Sequence, residues 1–222
     1  MIFWIILFLL IILVSFVLAF QSMRDFAQKP TDSKESFGLF LIKNLNALNE
    51  EVLGQLHSQM APKGLIFSVE KLFKGNKAAL VVFGPRNFLQ NFHSALDLLE
   101  LEEYTSVDPK EVLAWEVNVT SGNLNGLPQF LETEQFWWQV ILKPHKKDYL
   151  CQIRAVAWAK DEKRRADLAQ KLQQLDSGRL KKVPIPFTSA QILRMYQDRS
   201  HIPSVPTAFL SPEKVLDLIK LS

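Results

Sequence analysis

Few side chains in this sequence are of a type that does chemistry, and their spacing argues against most of it. His57, His93, His145 and His201 lie far apart, with no His-x3-His pair and no cysteine at metal-ligand spacing, so no metal centre is expected. The single cysteine, Cys151, sits in the apolar run "YLCQIRAVAWA", where a thiol ordinarily belongs to the core. Asp97, Glu100, Glu102 and Glu103 crowd into "LDLLELEEY" and could pair as general acid and base. A solvated helix end running into a loop explains them without chemistry. Gly75 and Lys77 have the wrong spacing for a phosphate-binding loop, and no dinucleotide fingerprint occurs. The sequence predicts no cofactor and no catalysis.

Two further groups could meet a partner. Lys160, Lys163, Arg164 and Arg165 line a helix that could touch nucleic-acid phosphate. Asp161, Glu162 and Asp167 offset their charge, as on an ordinary solvated face. Trp137 and Trp138 are neighbours in a strand and point to opposite faces. On a sheet covered on one side, at most one of them belongs to the core. The other lies under a closing helix or marks a contact surface.

The elements that position these residues follow from hydrophobic period. Phe37, Leu41, Leu45, Leu48, Val52 and Leu56 recur at three and four residues, which predicts a long amphipathic helix. "LIFSVEKLF" (65–73) and "AALVVF" (78–83) alternate as strands around the turn "GNK", a hairpin. A helix through Phe88, Phe92, Leu96 and Leu99 follows, then the strand "VLAWEVNV" (112–119). "QFWWQVILKP" (135–144), the basic turn "HKKD" and "YLCQIRAVAWA" (149–159) form the next strands, the last with a broken period that suggests a bulge. "KDEKRRADLAQKLQQL" (160–175) closes as a helix buried through Ala166, Leu168, Ala169, Leu172 and Leu175. This order predicts an α+β sandwich of ferredoxin-like type, a mostly antiparallel sheet with helices on one face.

Both ends differ from this middle. "MIFWIILFLLIILVSFVLAF" has no charge and one polar residue, Ser15, in twenty positions. That length matches a bilayer core, and the run lacks the basic start and small-residue cleavage site of a signal peptide. Residues 1–23 therefore read as a transmembrane anchor and 24–36 as a juxtamembrane linker. Arg24, Lys29, Lys34 and Lys43 follow the span while no charged side chain precedes it, which places the N-terminus outside an inner (cell) membrane and the bulk in the cytoplasm. Residues 37–176 form the α+β domain. Residues 177–222 read as an extended Pro-rich arm ending in "FLSPEKVLDLIKLS". There Ser211 caps a helix, Pro212 suits its first turn, and Val215, Leu216 and Ile219 form a stripe that must dock on something.

Several of these segments together resemble a known module. The helix ending in "GQLHSQ" with Leu56-His57, the strand with Ser68-Val69-Glu70, "KAALVVFG", and the strand with Trp137, Gln139, Lys143 and Pro144 are similar to the membrane-anchored module preceding TraC/HerA-like type IV secretion and conjugation ATPases. Leu210, Ser211 and Glu213 match the helix that enters the ATPase in that family, whereas Lys214 and Val215 depart from it. No Walker loop is present. The resemblance implies either that the motor is a separate polypeptide or that this is a shortened relative.

The resulting expectation is a single-pass membrane anchor or adaptor with a cytoplasmic interaction domain and no catalysis. Its partner is a separate P-loop ATPase or another protein subunit, met through Ser211, Pro212, Val215, Leu216 and Ile219. Self-association is expected only by analogy with ring-forming motor accessories. The alternative is a membrane-tethered nucleic-acid-binding module that uses the basic helix 160–171.

Overall fold

The computed structural model describes residues 10–15, 29–30, 34–117, 127–174 and 183–219. Most of the expected anchor, 1–23, lies outside these. Residues 10–15 are helical, with Leu10 to Val14 exposed. Among the described residues no helix is long and apolar enough to cross a membrane.

The expected long helix at 37–56 is instead a strand, β1 (Phe37–Ile42), and a separate helix, α1 (Glu50–Met60). A four-residue apolar spacing fits both periods. Consecutive Leu39, Phe40, Leu41 and Ile42 suit a strand covered on both faces. Asn49 then starts α1 by accepting the Val52 N–H at 3.0 Å. The hairpin β2 (Phe67–Lys74) and β3 (Lys77–Pro85) follows as expected. The next expected helix breaks into two single turns, α2 (Arg86–Leu89) and α3 (His93–Leu96). Asp97, at φ +47°, ends them, and Leu99 enters the strand β4 (Leu98–Leu101).

The second half repeats part of this plan. It contains β5 (Val112–Val117), the hairpin β6 (Glu134–His145) and β7 (Asp148–Ala159), and helix α4 (Glu162–Gln174). The twelve β6–β7 pairs run unbroken from Glu134 with Ala159 to His145 with Asp148, so the expected bulge is absent. The sheet order is β4-β1-β3-β2-β6-β7-β5, and every pairing is antiparallel. The first half is a β-α-β-β-α-β succession, and β5-β7-β6 repeats its β1-β3-β2 order. The halves join through β2 and β6, from Phe67 with Leu142 to Lys74 with Gln135. Even the hairpin turns match, with φ +54° at Gly75 and +53° at Lys146.

This equivalence has a measurable consequence. A side chain in the left-handed region is strained by about 1 kcal/mol, and a Cβ on Gly75 would also meet Glu132 Oε1 at 2.7 Å. Gly75→Ala should therefore lower the unfolding free energy by about 1 kcal/mol, and Lys146→Gly should raise it by a few tenths up to ~1 kcal/mol. Urea titration of both variants measures the pair. Equal effects of the same sign would show that the turns are not equivalent.

The arm is not an extended appendage. Helix α5 (Ser189–Gln197), strand β8 (Ala208–Leu210) and helix α6 (Pro212–Ile219) all pack onto the sheet. α1, α4 and α6 cover the first face, where Trp115, Phe136, Trp138, Val140 and Ile153 are buried. α5 covers the second, where Ile192, Leu193 and Tyr196 meet Val112, Ala114, Trp137 and Val156. Helices thus lie on both faces, which corrects the one-face expectation. Trp137 and Trp138 are each 2% exposed, one in each layer, so neither is a contact surface.

The terminal helix also finds its partner inside the chain. Ser211 Oγ accepts the Lys214 N–H at 3.4 Å, as its capping role predicts. Val215, Leu218 and Ile219 are buried in the main core, where α6 lies against α1. Val215 and Ile219 therefore cannot form a docking stripe for another protein. Ser211 and Pro212 are half-buried, and Leu216 remains half-buried at the edge of the core.

Candidate functional site

The second face is apolar at its rim and charged at its centre. Register brings four polar residues into one row across four strands: Glu70 of β2 faces Gln139 of β6, Gln139 faces Arg154 of β7, and Arg154 faces Glu116 of β5. All four are at most 1% exposed. Burying charge is tolerable only when it is paired and hydrogen-bonded, and here the arm supplies much of the pairing.

Arg199 follows α5 with φ +48°, a left-handed turn that aims its guanidinium back at the sheet. Its Nε donates to Glu70 Oε1 at 3.0 Å and its Nη1 to Glu103 Oε2 at 2.6 Å. The guanidinium also lies 4.5 Å over the Phe83 ring. Glu70 Oε1 accepts further bonds from Ser68 Oγ at 2.6 Å and Gln139 Nε2 at 3.0 Å, and Tyr104 OH donates to its other oxygen. Gln139 Nε2 and Arg154 Nη1 donate to the carbonyls of Tyr196 and Met195 at 2.9 and 3.0 Å. Arg154 Nε donates to Glu116 Oε1 at 2.5 Å. Further along the arm, Gln152 and Ile202 exchange two hydrogen bonds.

Proton affinities follow from this arrangement. Burial, with Glu70 beside both, holds the phenols of Tyr104 and Tyr196 neutral by pushing their pKa values up. Burial also raises Glu116, against the pull of Arg154. At Glu103 burial acts upward too, but Arg199 and Thr105 outweigh it and leave the carboxyl below the ordinary glutamate value. Arg199 is lowered by burial and raised by Glu70 and Glu103, with a net rise. The arrangement is therefore a latch of fixed charges and neutral hydroxyls, with its lone pairs and protons directed at other groups of the chain. Among the described residues Glu116 Oε2 and Arg154 Nη2 have no hydrogen-bond partner, so the Arg154–Glu116 pair is joined by the single Nε–Oε1 bond.

His201 also belongs to this layer. It is 4% exposed, and among the described residues neither ring nitrogen has a hydrogen-bond partner. Burial, with Lys143 and Arg154 adding repulsion, pushes its pKa down to about 4. The unfolded chain, with an ordinary histidine near ~6.5, binds more protons between those values. Stability should be insensitive to this group above pH ~6.5 and should fall as pH drops from there toward ~4, by roughly 3 kcal/mol in all. Urea titrations of the parent and His201→Gln at neutral and acidic pH measure the difference. Identical pH slopes would contradict it.

The basic helix does not gather its four cations on one surface. Lys160, Lys163 and Arg164 are exposed, and Arg164 binds Glu134 Oε1 at 2.6 and 3.0 Å. Arg165 is 8% exposed and donates to Ala159 O at 2.7 Å. The buried stripe is Arg165, Leu168, Ala169 and Leu172, one position off the expected Ala166, so an arginine turns inward. Among the described residues no group of three His, Cys, Asp or Glu is placed to hold a metal. A small apolar groove, about 80 Å³, lies on the first face, lined by Leu45, Leu48, Lys71, Leu80, Leu216 and Ile219. No residue of the latch lines it.

The sequence reading missed the latch, although a signal was there. Each strand carries isolated polar residues among large apolar ones: Glu70 in "FSVEKLF", Gln139 in "FWWQVIL", Arg154 in "CQIRAVAWA" and Glu116 in "LAWEV". Read as a solvated face, they contradict Trp137 and Val156 on that same face.

No protein-family model matches this chain, and no curated protein matches it. The resemblance to the module of conjugation ATPases is carried by its motifs alone.

Proposed function

We propose that this chain is a single-pass membrane anchor or adaptor whose cytoplasmic domain binds a separate P-loop ATPase of the conjugation and secretion type, without catalysis of its own. The observation that carries the tether is the uncharged first twenty residues, of which the described part is helical with exposed aliphatic side chains. The cations Arg24, Lys29, Lys34 and Lys43 behind it support an inner-membrane location with the domain in the cytoplasm. The succession of β1 to β4 supports a ferredoxin-like unit, followed by a second, incomplete one.

A non-catalytic role is supported by the latch, whose charged groups are engaged with one another and with the arm. Of the residues expected to dock the ATPase, Leu216 still faces an open groove, shared with Leu45. The adaptor contact belongs there and not on the buried stripe. The nucleic-acid alternative is supported by the exposed Lys160, Lys163 and Arg164 and weakened by the pairing of Arg164 with Glu134 and the burial of Arg165.

Carbonate extraction of native membranes, followed by cross-linking and mass spectrometry of the captured complex, tests both parts. Retention in the carbonate pellet and a P-loop ATPase cross-linked beside Leu216 are expected, with the cross-link lost in Leu216→Asp. Release into the supernatant would overturn the tether. Retention without an ATPase would overturn the adaptor role.

A further inference from the structure

One end of the strands collects an exposed aromatic ring, a cluster of cations and the point where the linker enters. Phe37, the first residue of β1, faces Pro85, and Ser68 faces Phe83, while Phe67 faces Leu142. Lys143 faces Leu150, which in turn faces Phe209 of β8. The start of β1 therefore lies at the same end of the sheet as the tip of the β6–β7 hairpin. That tip carries His145, Lys146 and Lys147, all exposed. Lys146 and Lys147 form no ion pair among the described residues. The acid beside them is Asp148, which is half-buried. Phe209 is 61% exposed, its ring centroid 5.6 Å from that of His145.

We propose that Phe209, His145, Lys146 and Lys147 form a contact for anionic lipid headgroups that holds the domain against the bilayer. The inference rests on the tether reading, because the chain from the tether enters the domain at the same end of the sheet as this tip. A lysine close to an anionic surface favours the bound state about fivefold, and the attraction decays within a Debye length. An aromatic side chain adds to this by settling at the headgroup boundary. Lysines with an aromatic would also suit nucleic acid, but the entry of the linker at the same end favours lipid.

The full chain carrying Phe209→Cys, labelled there with an environment-sensitive fluorophore, tests the contact. Cys151 is fully buried and does not compete for the label. The protein is reconstituted into vesicles of phosphatidylcholine alone, or mixed with phosphatidylserine at about two to one. The expected result is a blue-shifted label shielded from aqueous iodide in the anionic vesicles only, and reversed by salt. Lys146→Gln and Lys147→Gln should each lower the ratio of docked to free label about fivefold. A label equally aqueous or equally buried in both compositions overturns the proposal, as does a response to duplex DNA with none to vesicles. Carbonate extraction of the same vesicles keeps the two readings apart. Protein that washes off, yet shows the anionic response beforehand, retains the lipid contact and loses the tether.

Discussion

Arg199→Met should lower the unfolding free energy by about 3–5 kcal/mol, the range for breaking a buried ion pair from one side. The size comes from what stays behind. Glu70 is fully buried on the second face, and without Arg199 its carboxylate keeps only the neutral donors Ser68, Gln139 and Tyr104. Arg199 also holds a left-handed backbone turn, whose strain is no longer offset when the guanidinium is gone. Glu103 contributes less because its side chain is 49% exposed. Replacing both partners, as Glu70→Gln with Arg199→Met, should recover a large part of the loss, since no buried charge is then left alone. Urea unfolding of the full chain in detergent, followed by near-ultraviolet circular dichroism, reads both variants. A loss below ~1 kcal/mol for Arg199→Met would place it among surface ion pairs and refute the latch.

Deleting residues 207–222 should abolish cooperative folding. That segment contributes Leu210, Val215, Leu218 and Ile219 to the main core and pairs with Tyr149, Leu150 and Cys151 through β8. Four side chains at about 1.5–3 kcal/mol each match most of the roughly 5–15 kcal/mol that holds a typical domain together. A single change, Val215→Asp, puts an unpaired carboxylate where the valine is fully buried and should cost several kcal/mol. Dispersed amide spectra and a sharp unfolding transition in the deletion variant would show that α6 is an accessory after all. The expected unfolding also bears on the adaptor reading, because loss of ATPase binding on deleting the terminal helix would then follow from unfolding alone.

What the sequence disclosed depended on how local each signal was. The two hairpins were legible for different reasons: β2 and β3 alternate around Gly75-Asn76, whereas β6 and β7 are long apolar runs separated by the basic turn at Lys146-Lys147. α4 was legible from its stripe, apart from a shift that turned Arg165 inward. β1 was misread because Phe37 and Leu41 share a spacing common to strand and helix. The burial that chooses between them is supplied by both covering layers.

The latch lay further out of reach. Its row exists only once the register of four strands is set, and Arg199 meets Glu70 across 129 positions of sequence. The same long-range closure hid the destination of α6 and placed both Trp137 and Trp138 in the interior. Proline content in the arm suggested an extended chain, whereas Pro184, Pro186, Pro203 and Pro206 lie between elements that return to the sheet and Pro212 opens α6.

The central claim is that the arm is part of the domain, locked over the second face by Arg199 and over the first by α6. Amide hydrogen exchange on the full chain, resolved by peptide mass spectrometry, tests it most directly. Peptides from 190–200 and 212–219 should exchange with the slow kinetics of β2, β6 and β7, and Arg199→Met should speed the 190–200 peptides first. Fast exchange throughout 183–219 in the parent protein, with a protected sheet, would contradict it and return the arm to a free segment available for docking.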